Sequence, residues 1–119
     1  MENKEFSKEL ELRTKKFAIS IIRLSASLPQ TVEAKVIRNQ ITKSGTSVGA
    51  NYREANRSRS KSDFSNKISI CESESSETCY WLDIINDMQW IDRSRIEPLL
   101  DESNQLLAIS TSVGKQLKL

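Results

Sequence analysis

The segment from Ser44 to Ala55, S-G-T-S-V-G-A-N-Y-R-E-A, has two glycines and a run of hydroxyl and amide side chains, which is the composition of a loop. Its pattern contradicts that composition. Ala34, Ile37, Ile41, Ser44, Val48, Tyr52 and Ala55 recur at spacings of three and four straight through it, the period of an α-helix with one buried face. Small residues on such a face let a neighbouring backbone approach closely, so the segment predicts a tight helix–helix contact. Only 3 glycines and 2 prolines occur in 119 residues, leaving few sharp turns. Long helices follow from that scarcity.

Four helices can be read along the chain. The first runs from about Ser7 to Leu28, with Leu10, Phe17, Ile21, Leu24 and Leu28 on one stripe and Pro29 ending it. The second starts near Thr31, placed as N-cap, and continues to about Arg57. A polar, basic turn spans Asn56 to Ser62. The third opens near Ser62 and ends near Met88; Phe64, Ile68, Cys71, Ser75, Thr78, Leu82 and Ile85 give it the cleanest heptad in the chain. Gln89 to Arg93 makes a short link. The fourth begins between Ser94 and Pro98 and runs to the C-terminus. Ser94 with Glu97 matches a capping box there, whereas Pro98 favours the first helical position. Short links between helices of ~40 Å make neighbours antiparallel. The fold class is all-α: a single domain over 1–119, an antiparallel up-down-up-down four-helix bundle.

Composition narrows the function. The chain lacks histidine, which removes the commonest general base and transition-metal ligand. Phosphate-binding glycine loops and the nucleophile-elbow motif do not occur. Cys71 and Cys79 would lie ~12 Å apart on one helix, too far for a disulfide and too few for zinc. The expectation is a protein that is not an enzyme, with no cofactor and no metal. No apolar run approaches the ~20 residues that span a bilayer, and no secretory signal is evident. The expectation is therefore no membrane association and a cytoplasmic location. Net charge is +2, so nothing global demands nucleic acid.

Two helices carry apolar residues off their core stripe. Ile19, Ile22 and Ala26 sit opposite the stripe of the first helix, and Ile70, Trp81, Ile84 and Met88 cluster beside the heptad of the third. Either the core face is unusually wide or these residues bury against another subunit. The second is the preferred reading, because soluble monomers rarely expose such patches. Glu74 and Glu77 fall between the heptad and this second stripe, and Asn51 and Glu54 sit beside the stripe of the second helix. Paired acids at such places serve acid–base chemistry, or metal binding, or a structural polar network that fixes register. The network is preferred, with Arg23, Lys43 and Arg53 as partners for the acids.

The segments I-T-K-S-G-T-S-V-G-A-N-Y-R-E-A, from Ile41 to Ala55, and D-F-S-N-K-I-S-I-C-E-S-E-S-S-E-T-C-Y-W-L, from Asp63 to Leu82, resemble the 23S rRNA intervening-sequence proteins. That family is similar to the accessory variability protein of diversity-generating retroelements. The resemblance implies a ring-like homo-oligomer, commonly a pentamer, of four-helix protomers without settled biochemical activity. The retroelement relative binds nucleic acid through basic surface. Lys43 stands where the family usually has arginine, and a lysine cannot make the bidentate contact of an arginine.

Two functions are expected to compete. One is association of the oligomer with RNA or DNA backbone through Lys15, Lys16, Arg23, Arg53, Arg57, Arg59, Lys61 and Lys67, repeated around the assembly. The other is a protein-interaction scaffold, or accessory subunit, that binds a protein partner and no nucleic acid.

Overall fold

The computed structural model describes residues 4–117, and the helix reading for 118–119 lies outside them. Four α-helices follow one another: α1 Lys4–Ala26, α2 Val32–Ala55, α3 Lys61–Asp87 and α4 Arg93–Leu117. Each helix packs extensively against the next in sequence. α1 and α4 touch lightly, and α1 and α3 stand diagonally apart. The result is an antiparallel four-helix bundle of 44 × 24 × 21 Å.

The chain ends each helix by local chemistry. Thr31 takes extended backbone angles and its hydroxyl accepts from the Ala34 amide at 3.1 Å, which is the expected N-cap of α2. Ser60 does the same for α3, accepting from Asp63 at 3.0 Å, so the helix starts slightly before the expected Ser62. After α3, Gln89 adopts φ 57°, the left-handed position that reverses a chain just past a helix end. α4 begins at Arg93, before both sequence signals. The amides of Arg95 and Ile96 bond to the Asp92 carbonyl, so Ser94 is already inside the helix and does not cap it. Pro98 falls within the first two turns, not at the first position. Its missing N–H frees the Ser94 carbonyl on an exposed face, where water satisfies it at little loss.

The core follows the predicted stripes. Phe17, Ile21 and Leu24 meet Ile41, Val48 and Tyr52 from α2, Ile68, Cys71, Leu82 and Ile85 from α3, and Ile96 and Leu106 from α4, all at most 3% exposed. Burial of such side chains supplies roughly 1.5–3 kcal/mol each. The glycine-dotted segment is uninterrupted helix, as its period predicts. A Cβ on Gly45 would stand 2.8 Å from Ile21 Cγ2, and one on Gly49 would meet Thr14 Oγ1 at 3.0 Å and the Thr14 carbonyl carbon at 3.2 Å. α1 and α2 therefore approach so closely that a methyl at Gly45 would force the Ile21 side chain to shift, and one at Gly49 would require Thr14 to give by a few tenths of an ångström.

Small hydroxyls line the other seams. Ser44 and Thr78 lie 2.9 Å apart across α2 and α3, and the Thr42 hydroxyl donates to Ser25 at 2.7 Å across α2 and α1. The Cys71 thiol donates to the Val48 carbonyl at 3.5 Å, and Cys79 lies 2.9 Å from the Ser103 hydroxyl. Neither cysteine forms a disulfide.

Candidate nucleic-acid interface and polar sites

The antiparallel order puts the start of α1 beside the turn between α2 and α3. A cleft of about 710 Å³ opens there, lined by Lys4, Lys8 and Glu11 of α1, Ala55 at the end of α2, Asn56, Ser58, Arg59 and Ser60 of the turn, and Lys61 and Phe64 of α3. Four cations converge on it. The acid that also faces it, Glu11, accepts from the Asn56 side chain at 2.8 Å, which ties α1 to the turn. The N-terminus of α3 meets the same cleft and adds the positive end of its dipole. The half-buried ring of Phe64 and the methyl of Ala55 give the cleft an apolar floor.

A second groove borders Glu11 and climbs between α1 and α2, lined by Lys15 and Arg53 over Gly49, Ala50 and Thr46. The short side chains of Ala18, Thr46 and Ala50 keep the groove open between the longer Leu12, Lys15 and Arg53.

These positions divide the eight basic residues named from sequence. Arg59 and Lys61 meet in the cleft, and Lys15 and Arg53 meet in the groove. Lys67 is instead half-buried and paired with Glu54 at 3.4 Å across α2 and α3, so its charge is already answered. Arg57 turns back to donate to the Arg53 carbonyl at 3.3 Å. Lys16 is exposed on α1, and Arg23 is exposed in the last turn of α1, at the opposite end of the bundle from the cleft. Sequence reasoning missed Lys4 and Lys8. Their distance along the chain from Arg59 hides the meeting, but the expected antiparallel topology was signal enough to find it.

The four polar residues assigned to one network make separate contacts. Asn51 donates to the Ser47 carbonyl of its own helix at 2.9 Å, Glu54 pairs with Lys67, and Glu77 is exposed and accepts from the Trp81 indole at 3.3 Å. Glu74 is half-buried. Burial pushes its carboxyl pKa up from the ordinary value, the Glu77 charge adds to this, and the Lys43 ammonium opposes it. Of the three cations expected to answer these acids, Lys43 is the one whose charge bears on Glu74. The stronger ion pair escaped the sequence reading: Arg13 donates to both oxygens of Glu102, at 3.0 and 2.7 Å, and to Gln105 at 3.1 Å, bridging α1 and α4. Among the described residues no cluster of three His, Cys, Asp or Glu is arranged to hold a metal ion.

The second apolar stripes are largely exposed. Ile19, Ile22, Ile70 and Met88 are 38–53% exposed, and Ala26 is also on the surface. Trp81 and Ile84 are half-buried, and Trp81 packs against the core. Because α1 and α3 are diagonal, the stripes form two separate strips. Leu12, Val36 and Tyr80, also exposed, were not anticipated. Among the described residues no helix is long and apolar enough to cross a membrane.

Four consecutive helices with close α1–α2 packing define the class as an all-α four-helix bundle. The particular family is shown by comparison. The family model for the 23S rRNA-intervening sequence protein matches residues 8–112, and the chain belongs to that family. A solved structure from Bacteroides thetaiotaomicron VPI-5482, described as a protein with unknown function from the S23 ribosomal protein family, is similar over 88% of this chain and 97% of its own. The identity is 34% and the TM-score 0.81. Neither description indicates an enzyme. No curated protein matches.

Proposed function

We propose that this protein acts in the cytoplasm as an assembly of identical four-helix subunits that holds nucleic acid by its phosphate backbone. The observation that carries the reading is the convergence of Lys4, Lys8, Arg59 and Lys61 on one cleft, continued by Lys15 and Arg53 in the adjoining groove. Such a track neutralises successive phosphates and displaces their counterions, whatever the base sequence. Repetition around a homo-oligomer, a pentamer by the family resemblance, multiplies these contacts and compensates for a net charge of only +2. The family name refers to 23S rRNA, which makes structured RNA the first probe.

The test is a mobility shift with a structured RNA at 50 and 200 mM salt. Neutralising about four phosphates gives a slope of about −3 in log K against log salt, hence a loss on the order of 50-fold over that range. Arg53→Gln with Lys15→Gln should reduce that slope. Absence of salt-sensitive binding at micromolar protein defeats the reading.

The exposed strips on α1 and α3 favour a second reading, a scaffold that presents an apolar face to a protein partner. Capture of a defined neighbouring-gene product, lost on Met88→Glu and unaffected by Arg53→Gln, would single it out.

A further inference from the structure

We propose that the end cleft takes the terminal phosphomonoester of a nucleic-acid strand, with the terminal base against Phe64. This deepens, and rests on, the nucleic-acid reading above.

A phosphodiester within a strand carries one negative charge, and one or two cations answer it. Four cations meet in this cleft, together with the N-terminal end of α3. That exceeds what the single charge of a diester needs, and a monoester, which carries about −1.5 to −2 charges and three acceptor oxygens, uses more of it. Size agrees: about 710 Å³ lies within the roughly 300–1,000 Å³ of small-ligand sites and accommodates one nucleotide. The lining is divided as a nucleotide is divided. Lysine and arginine offer charge to the phosphate, while the Phe64 ring and Ala55 methyl offer an apolar surface on which a base stacks. Glu11 keeps its negative charge, because its Asn56 partner at 2.8 Å is a neutral amide, but four cations against this one acid leave the cleft net positive, and Glu11 stands between cleft and groove. The groove with Lys15 and Arg53 gives the rest of the strand a continuing path. The cleft thus closes one end of a cationic track, and an end in the site is matched by an end in the ligand.

The experiment compares one single-stranded RNA in four forms: 5′-phosphate, 3′-phosphate, hydroxyl at both ends, and circular. Binding is measured by fluorescence anisotropy, with adenosine monophosphate titrated separately. One phosphorylated form should bind about tenfold tighter than the hydroxyl form, the worth of one or two added charge-assisted hydrogen bonds. Lys8→Gln with Arg59→Gln should weaken the phosphorylated form about tenfold more than the circular one and so erase that preference, with circular dichroism reporting unchanged helix. The 5′ and 3′ arms identify which end is held. Equal binding of all four forms overturns the end site and keeps backbone binding. Binding of adenosine monophosphate, sensitive to Arg59→Gln, with no RNA binding keeps the cleft as a phosphomonoester site and overturns the strand reading. No binding of any probe overturns both.

Discussion

At the scale of single residues, glycine at 45 and 49 and glycine at 114 test opposite effects. Alanine ordinarily stabilises a helix by about 1 kcal/mol over glycine. At Gly45 a new methyl meets the Ile21 side chain at 2.8 Å, and crowding of this kind costs about 1–3 kcal/mol. Gly45→Ala should therefore lower stability by about 1 kcal/mol net in thermal melts. At Gly114 the nearest atom to a new methyl is 3.9 Å away, so Gly114→Ala should raise stability, by about 0.5 kcal/mol because it lies in the last turns of α4. Glu74 gives a pH-dependent case. Its folded pKa is raised by burial and by Glu77, so folding favours the protonated form. Stability from this group is full below the unfolded value and falls as pH rises through the folded one. Glu74→Gln should then be more stable than the natural chain at pH 7, by about 0.5 kcal/mol for a partly exposed group, and indistinguishable from it below about pH 4. Denaturant melts at the two pH values check this.

At the scale of elements, the α1–α4 seam is the thinnest, and the Arg13–Glu102 fork is its principal polar clasp. The pair is about one-third exposed on each side, which limits its worth. A double-mutant cycle with Arg13→Ala and Glu102→Ala should give a coupling of about 1 kcal/mol, and Arg13→Lys should lose most of it because lysine lacks the planar fork. The elements themselves were legible in the sequence. The heptad of α3, the Thr31 cap and the small-residue face of α2 each reduce to a rule of spacing. The start of α4 was not legible, because two sequence signals competed and a backbone contact to Asp92 prevailed. The Arg13–Glu102 pair was hidden for another reason. It joins the first and last helices, and no periodicity within one helix reports a partner 89 positions away. The cationic cleft was half legible: the basic turn was visible, while Lys4 and Lys8 entered it through topology.

At the scale of the whole molecule, the two apolar strips face away from each other, so a copy that uses one leaves the other open. Contact of an α1 strip with an α3 strip is heterologous, and such contacts close into rings or extend into filaments. Light scattering should give a mass several times 13.6 kDa, and Ile22→Glu with Met88→Glu should reduce it toward that value without loss of helix. A mass of 13.6 kDa for the unaltered chain at micromolar concentration would sink the assembly. The order of packing carries a further consequence. Every extensive contact joins helices adjacent along the chain, and the ends need to meet only at the light α1–α4 seam. Little loop-closure entropy opposes the search for the native arrangement, so the chain can zip hairpin by hairpin and should reach its fold within about a millisecond, the range of helical domains rich in local contacts.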